Sequence, residues 1–221
     1  MLPVLGYWKT RTLAQHIRLL LVYTDTAFKN KYHHVGPEPD YDKSDWYSVK
    51  YKMGLDFPNL PYYIDDNIKL TQSTAILRYI GRKNNMCGRT EEERVRLDIL
   101  LSQTMDFAED FWKVFYYNLE RKDVYLLKEL PVKLWDFSNF LGDRKWFVSN
   151  QDITVADFFI YELLDHHVFI EPTILDNYKN IQRFMQRFRE LPRIKEYLAS
   201  PDCLRGPVFN IYSQYEVEQR K

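Results

Sequence analysis

The spacing of apolar residues along this chain changes from short stretches near the N-terminus to helical periods beyond it. Residues 2–5 are apolar and lead into Gly6, which predicts a buried strand ending at that glycine. A second strand is predicted over Phe28–Tyr32. Two further strands, over residues 62–64 and 68–70, flank the turn composition Asp65-Asp66-Asn67 and predict a hairpin.

Helical signals dominate the rest of the chain. From Leu13 to Tyr23 apolar residues recur at helical spacing, and a helix from about Gln72 to Lys83 ends in basic residues that suit the helix dipole. Beyond residue 90 a long helix runs to about Tyr117, and further helices are predicted near 126–141, 155–168 and 178–190. Two of these helices begin with the composition of a capping box, at residues 90–93 and 154–157.

This order of elements predicts a small α/β domain of thioredoxin-like type followed by an all-α helical bundle. We place the first domain at residues 1–83, a linker at 84–89 and the helical domain at 90–221. Thioredoxin-like redox proteins carry a Cys-x-x-Cys motif near the first strand. Tyr7 and Trp8 occupy that neighbourhood here, without a cysteine, so dithiol chemistry at this place is excluded.

Composition narrows the possible functions further. The 31 Lys and Arg residues balance 31 Asp and Glu residues, which argues against a protein that binds nucleic acid or a membrane surface. The longest apolar run, Leu19–Tyr23, is far shorter than the roughly 20 residues of a membrane span, and no secretory signal pattern is visible. Two cysteines, Cys87 and Cys203, are too few for a disulfide framework. These features predict a soluble cytoplasmic protein.

Three motifs carry a resemblance to a known family. They are Leu5-Gly6-Tyr7-Trp8, Leu55-Asp56-Phe57-Pro58-Asn59-Leu60-Pro61 and the segment Thr71–Tyr79. In this order and spacing the chain resembles the cytosolic glutathione S-transferases, and the residues of the motifs resemble those of the mu class. The resemblance covers nearly the whole chain. It implies a cytoplasmic homodimer that conjugates the glutathione thiolate to small hydrophobic electrophiles in detoxification, with glutathione as co-substrate and no metal or other cofactor.

Tyr7 is the catalytic residue that the resemblance implies. With 17 tyrosines in the chain, any single one is most simply a packing residue, but the glycine before Tyr7 and the tryptophan after it favour a function. A free thiol has a pKa near 8.5 and is mostly protonated at pH 7. A phenol that donates a hydrogen bond to the sulfur stabilises the thiolate and keeps its own proton.

The other glutathione-binding residues are implied by the same resemblance. The bond before Pro61 is expected to be cis, which would let Leu60 pair through its backbone with the cysteinyl residue of glutathione. Gln72 and Ser73 open a helix whose N–H groups suit the γ-glutamyl carboxylate, although they could also simply cap that helix. The full implied set is Tyr7, Trp8, Lys43, Trp46, Lys50, Asn59, Leu60, Gln72 and Ser73, with Asp106 supplied by the partner subunit.

The glycyl end of glutathione is implied to contact Trp46 and Lys50. These residues lie four apart, on one face if the segment is helical, and in isolation they would be a surface cation–π pair. Lys43 stands where the mu class commonly carries Arg, and Lys lacks the planar fork of Arg that would grip a carboxylate with two hydrogen bonds.

Two residues imply a dimer. Asp106 lies midway along the long helix, where a lone acid would usually be a solvated residue. In the family the matching Asp reaches the glutathione of the neighbouring subunit. Phe57 is either a core residue or the aromatic side chain that the mu class inserts into its partner.

The implied electrophile pocket lies between the two domains. Its wall would consist of Leu13, Met105, Tyr116 and Phe209. Tyr116 could donate a hydrogen bond to the charge that develops on an electrophile. Because Tyr117 is adjacent, the sequence leaves open which of the two tyrosines takes this position. The chain departs from the family at Thr12, where Gly is usual, and along the tail 212–221, which matches poorly.

Three alternatives keep the same fold. The protein could be a non-catalytic carrier of hydrophobic ligands, or a structural protein, or it could be a glutathione-dependent isomerase. The presence of Tyr7, Gln72, Ser73 and Asp106 argues against a site that has lost its function. The adjacent histidines at 33–34 and 166–167 have diverging side chains and predict no metal site.

Overall fold

A mixed four-stranded sheet forms the centre of the N-terminal part. The computed structural model describes residues 1–66 and 68–220, so Asn67 of the predicted hairpin turn and the final Lys221 lie outside the described residues. The strands are β1 (Val4–Trp8), β2 (Lys29–His33), β3 (Tyr62–Asp65) and β4 (Ile68–Thr71). Their order is β2-β1-β3-β4, with β1 parallel to β2 and antiparallel to β3. β3 and β4 form the predicted antiparallel hairpin.

The predicted end of the first strand at Gly6 is wrong, because β1 continues through Gly6 to Trp8. The ring of Tyr62 on neighbouring β3 lies across this glycine, and a Cβ atom at position 6 would lie 2.0 Å from the Tyr62 Cζ. A close approach between strands, and not a turn, therefore requires the glycine. β2 also begins one residue later than predicted, at Lys29.

Helices flank the sheet and form all the regular structure after it. The sheet region contains α1 (Gln15–Tyr23), α2 (Ser44–Tyr47), a 3₁₀ turn at Lys50–Lys52, and α3 (Ser73–Lys83). The C-terminal helices are α4 (Glu91–Tyr117), α5 (Lys122–Val124), α6 (Leu130–Leu141), α7 (Val155–Ile170), α8 (Lys179–Arg189), α9 (Pro192–Ala199) and α10 (Gln214–Gln219). The predicted fold class, a thioredoxin-like α/β domain followed by an all-helical domain, is confirmed. The predicted domain boundaries stay predictions.

One large hydrophobic core joins the two parts. Leu5 of β1 and Ile17 of α1 belong to the same buried cluster as Phe111 of α4 and Phe159 of α7. The chain therefore changes its type of structure near residue 84 without a break in the core. This shared core holds the first strand in a defined position against the helices, and a site between them depends on it.

Parts of the helical prediction need correction. The helix predicted near 126–141 is a π-helical turn at Tyr125–Glu129 followed by α6, which begins at Leu130. Pro131 explains the division, because proline fits in the first turn of a helix and not in its interior. The prediction also lacks α2, α5, α9 and α10, whose lengths are 4, 3, 8 and 6 residues, too short for a clear period.

The two predicted helix caps differ in the structure. At α7 the Thr154 N–H donates to the Asp157 carboxylate at 2.8 Å, which confirms the capping box. At α4 the Thr90 hydroxyl accepts from the Glu93 N–H at 3.2 Å, but the Glu93 carboxylate accepts from the N–H of Arg89, one residue before the cap.

Within the described ranges, none of the helices combines the length and the apolar character that a membrane span needs. The same residues contain no group of three or more His, Cys, Asp or Glu side chains that could hold a metal ion.

Candidate active site

Tyr7 occupies the next-to-last position of β1, and its side chain is buried, with 5% exposed. Its hydroxyl oxygen accepts a hydrogen bond from the Leu13 N–H at 3.4 Å. Burial raises the pKa of Tyr7 to about 12, against the opposing effects of the Leu13 N–H and the Thr12 hydroxyl. The phenol is therefore protonated at neutral pH and can donate its proton to a hydrogen bond with a ligand.

Tyr7 lines a cavity of about 320 Å³ between the sheet region and α4. A larger cleft of about 790 Å³ lies near the linker, but four arginines and Cys87 are among its lining residues and Tyr7 is not. The smaller cavity is lined by Tyr7, Trp8, Thr12, Leu13, Glu109, Trp112, Lys113, Tyr116, Tyr117, Asn210 and Tyr212. Both halves of the chain contribute to it, as in many ligand sites at domain interfaces.

Two of the four residues expected in the electrophile wall line this cavity, namely Leu13 and Tyr116. Phe209 does not line it, because its fully buried ring packs edge-on behind Tyr116, with ring centroids 5.3 Å apart. Met105 is half-buried, packs against the main core and is also absent from the cavity lining.

The two tyrosines at the end of α4 differ in environment. Tyr116 is buried, whereas the side chain of Tyr117 is 65% exposed. The Tyr116 hydroxyl accepts a hydrogen bond from the Asn210 N–H at 3.0 Å and keeps its own proton available for donation. Burial raises the pKa of Tyr116 well above its ordinary value. Of the two, Tyr116 is the one that presents a fixed, protonated hydroxyl.

An aromatic cluster lies beside Tyr7. Trp46 is buried on α2, stacks on Tyr62 at 5.9 Å and meets His33 edge-on at 5.2 Å, measured between ring centroids. Tyr7, Trp46 and Leu60 belong to one small hydrophobic cluster that is separate from the main core, and Trp8 packs against it. The structure thus brings together residues that the sequence places in different motifs.

The bond between Leu60 and Pro61 is cis, in agreement with the prediction. The Leu60 N–H, which is expected to pair with a ligand backbone, donates to the Asn59 side-chain oxygen at 2.9 Å. A ligand that uses this N–H must therefore displace the Asn59 side chain.

Gln72 immediately precedes α3 and has a φ of 70°. A positive φ in a residue other than glycine costs on the order of 1–3 kcal/mol and is most often found at functional sites. The Gln72 side chain makes no capping hydrogen bond to α3, so the simple capping interpretation does not hold for it. Ser73 is buried in the first turn, at the positive end of the helix dipole.

Trp46 and Lys50 do not meet the condition for a shared helical face, because α2 ends at Tyr47 and Lys50 begins a 3₁₀ turn. The Lys50 Nζ lies 5.2 Å from the ring centroid of Tyr51. Lys43 contacts the C-terminal tail, with its Nζ 3.9 Å above the ring centroid of Tyr212.

The two residues that imply a dimer are both exposed. Phe57 is 77% exposed, which excludes a core role within one chain. The Asp106 carboxylate lies on the solvent side of α4 and accepts a weak hydrogen bond from the Gln103 amide at 3.5 Å. Neither residue lines the Tyr7 cavity.

Thr12 forms part of the cavity at the position where the sequence departs from the family. Its hydroxyl donates to the Val208 carbonyl at 2.9 Å, so it ties the loop after β1 to the C-terminal segment. Tyr212, in the poorly matching tail, and Trp112 also line the cavity and have no assigned role in the sequence prediction. Trp112 could have been found from its position four residues before Tyr116, on the same face of α4.

The chain matches two family models. Residues 3–82 match the glutathione S-transferase N-terminal domain, and residues 105–201 match the glutathione S-transferase C-terminal domain. The chain belongs to the glutathione S-transferase family.

Its relatives place it near the Mu class, which confirms the resemblance noted in the sequence. The chain is 50% identical to glutathione S-transferase Mu 2 of Rattus norvegicus over 206 residues, covering 93% of this chain and 94% of the relative. It is 49% identical to glutathione S-transferase Mu 1 of Homo sapiens over 208 residues, covering 94% and 95%. Among solved structures, the Pi-class glutathione S-transferase of Onchocerca volvulus has a TM-score of 0.86 at 31% identity and covers 97% of this chain and 100% of that chain.

Proposed function

We propose that this protein is a glutathione transferase that adds the glutathione thiolate to small hydrophobic electrophiles. The observation that carries the proposal is Tyr7, a buried and protonated phenol that lines a cavity shared by both halves of the chain. Two Mu-class relatives at about half identity over nearly the full chain support it. No observation on the described residues favours a carrier, a structural protein or an isomerase.

Tyr7 acts on the sulfur of bound glutathione. Its O–H donates a hydrogen bond that stabilises the thiolate and so lowers the thiol pKa from its ordinary value near 8.5. The thiol proton leaves to solvent, the sulfur forms a bond to the electrophilic carbon, and a leaving group such as chloride departs. In an addition reaction the carbon acceptor takes up a proton instead.

Glutathione lies along the edge of the site that the three sequence motifs define. The N-terminus of α3, with Ser73 and Gln72, holds the γ-glutamyl carboxylate, because helix N–H groups and a hydroxyl favour an anion there. Leu60 pairs with the cysteinyl backbone once the Asn59 side chain moves away. The remaining contacts come from Trp8, Trp46, Lys43 and Lys50, with the last two nearest the glycyl carboxylate.

The electrophile occupies the cavity between β1 and α4. Leu13 and Trp112 supply apolar wall, and the protonated Tyr116 hydroxyl stabilises negative charge that develops on the electrophile. The Asn210 N–H donates to the Tyr116 hydroxyl oxygen and so holds the hydroxyl group in place for this role.

The active form is a homodimer in the cytoplasm, where the enzyme removes reactive electrophiles. Exposed apolar side chains support a dimer: besides Phe57, they include Val95 and Ile99 on α4 and Val132 and Trp135 on α6. Residues three or four apart lie on one helix face, so each of these helices presents an apolar surface. Phe57 of each subunit inserts into the partner, and Asp106 reaches the α-ammonium of glutathione bound by the partner.

The test is conjugation of glutathione to chlorodinitrobenzene, run beside calorimetric titration with glutathione. We expect saturable binding of glutathione and thioether formation well above the uncatalysed rate. Binding without conjugation would favour the carrier alternative. Glutathione-dependent conversion of a substrate without a thioether product would favour the isomerase. Absence of glutathione binding would overturn both the transferase and the isomerase and leave only the non-catalytic alternatives.

A further inference from the structure

The C-terminal tail forms a wall of the electrophile cavity in this chain. Tyr212, just before α10, lines the cavity together with Tyr7 and Tyr116. Its ring centroid lies 5.8 Å from that of Tyr116, and the Asn210 side-chain amide lies 3.5 Å from its hydroxyl. Tyr212 is therefore a large side chain placed where an electrophile would enter or rest.

The loop after β2 holds this wall from the other side. The Lys43 ammonium lies 3.9 Å above the ring centroid of Tyr212, well within the distance of a cation–π contact. The ring of Tyr41 in the same loop meets Tyr212 at 6.3 Å, and the Arg220 guanidinium pairs with the Glu38 carboxylate at 2.7 Å. The last pair is largely exposed, so solvent screens it, and Lys43 is the charged group that acts on the cavity wall itself.

We propose that Tyr212 determines electrophile specificity as a wall of the cavity, and that Lys43 is the positioning residue that holds its ring there. This inference rests on the proposed function. Lys43 then links the two halves of the site: it belongs to the loop expected near the glycyl end of glutathione, yet its ammonium lies on the ring that bounds the electrophile.

The tail has anchors that do not depend on Tyr212. The Leu119 N–H donates to the Gln214 side-chain oxygen at 2.7 Å, and Tyr215 packs against Phe115 and Phe209 with ring centroids 5.8 Å and 5.6 Å away. Replacement of Tyr212 should therefore remove a wall without releasing α10.

The experiment compares two electrophiles that differ by one fused ring, chlorodinitrobenzene and chlorodinitronaphthalene, at saturating glutathione. The readout is the ratio of kcat/KM for the larger electrophile to that for the smaller one. We expect Tyr212→Ala to raise this ratio about tenfold, since a change of pocket size by a small group is worth about that factor. Lys43→Met should raise it about two- to fivefold, the equilibrium equivalent of one cation–π contact.

The double variant decides whether Lys43 acts through Tyr212. In the Tyr212→Ala background, Lys43→Met should not change the ratio further. Lys43→Arg should retain the wild-type ratio, because a guanidinium also stacks on an aromatic face. The matched control is Lys52→Met, which removes another lysine of the same region, exposed at the end of the 3₁₀ turn; it should leave the ratio unchanged.

An unchanged ratio in Tyr212→Ala would overturn the specificity role. Equal effects of Lys43→Met with and without Tyr212 would show that Lys43 acts directly on the ligand, which overturns its positioning role. Both results require that the wild-type protein conjugates the electrophiles. If the wild-type protein forms no thioether with either one, the proposed function fails and the inference fails with it, which is a separate outcome.

Discussion

The surrounding backbone determines the hydrogen bonding of three hydroxyl groups at the Tyr7 cavity, and burial raises the pKa of two of them. Tyr7 and Tyr116 each accept a hydrogen bond from a main-chain N–H, and burial raises the pKa of both. Thr12 donates to the Val208 carbonyl oxygen. Both phenols therefore keep their protons at neutral pH.

Replacement of Tyr7 by Phe tests the role of one donor. We expect turnover to fall roughly 10²-fold, as for deletion of one preorganised donor, with glutathione affinity almost unchanged because the other contacts remain. Since the pKa of Tyr7 is about 12, its own titration does not set the pH profile below that value. The pH at which activity rises should instead move up toward the pKa of a free thiol, near 8.5.

The thiolate absorbance of bound glutathione, titrated against pH in both proteins, measures this effect directly. Tyr63→Phe is the matched control, since Tyr63 lies in the main core and its loss should leave the titration in place. Superimposable curves for wild-type protein and Tyr7→Phe would mean that Tyr7 only packs.

At the scale of elements, the start of α7 depends on one carboxylate. Asp157 is fully buried and accepts hydrogen bonds from the Thr154 N–H at 2.8 Å and from the Phe147 N–H at 2.9 Å. Ile153 and Phe158, which flank the cap at the positions of a hydrophobic staple, are also buried. The carboxylate therefore fixes both the helix start and the segment before it.

We expect Asp157→Ala to lower the free energy of unfolding by about 2–5 kcal/mol, because two buried N–H groups would lose their partner. Thr90→Ala at the exposed cap of α4 is the control and should cost about 1 kcal/mol. Urea unfolding at one fixed protein concentration compares them. Equal losses of unfolding free energy in the two variants would show that burial of the α7 cap does not increase its contribution to stability.

At the scale of the whole molecule, the two parts of the chain form one body around the site. The Arg11 guanidinium, in the loop after β1, pairs with the Glu162 and Asp165 carboxylates of α7 at 2.8 Å and 2.6 Å. Burial alone would raise the pKa of Glu162, but the Arg11 charge, His166 and the hydrogen bonds from both side chains together outweigh it and lower that pKa to about 2. A buried pair of this kind holds the loop that carries Thr12 and Leu13 against the helical part.

Assembly provides a prediction at this scale. Phe57→Ala should shift the protein from dimer toward monomer, because it removes the exposed aromatic side chain proposed to insert into the partner. Glutathione affinity should fall with it, since Asp106 comes from the other subunit. Sedimentation velocity and calorimetry at matched concentrations measure the two effects.

Phe169→Ala is the control for this prediction. Phe169 is also an exposed phenylalanine, at 53%, but it lies near the end of α7, and its loss should change neither property. A wild-type protein that is fully active as a monomer would contradict the proposed assembly.

The features that the sequence determined by itself depend on residues close together along the chain. The bounds of α3, α4 and α7 agree with the periodicity and the caps to within about two residues, because those signals arise within a few positions along the chain. The motifs around Tyr7, Leu60 and Ser73 likewise identify the family, since each is a continuous run of residues.

Tertiary structure alone decided the shape of the site. Gly6 serves a close approach of Tyr62 from another strand, Phe209 lies behind the cavity wall, and Tyr212 enters the cavity from the far end of the chain. No local pattern contains these contacts, because they join residues that are distant in the sequence and depend on how the tail and the loop after β2 pack together. The tyrosine proposed as catalytic could therefore be picked out from the sequence, whereas two of the four residues expected in the wall, Met105 and Phe209, do not line the cavity.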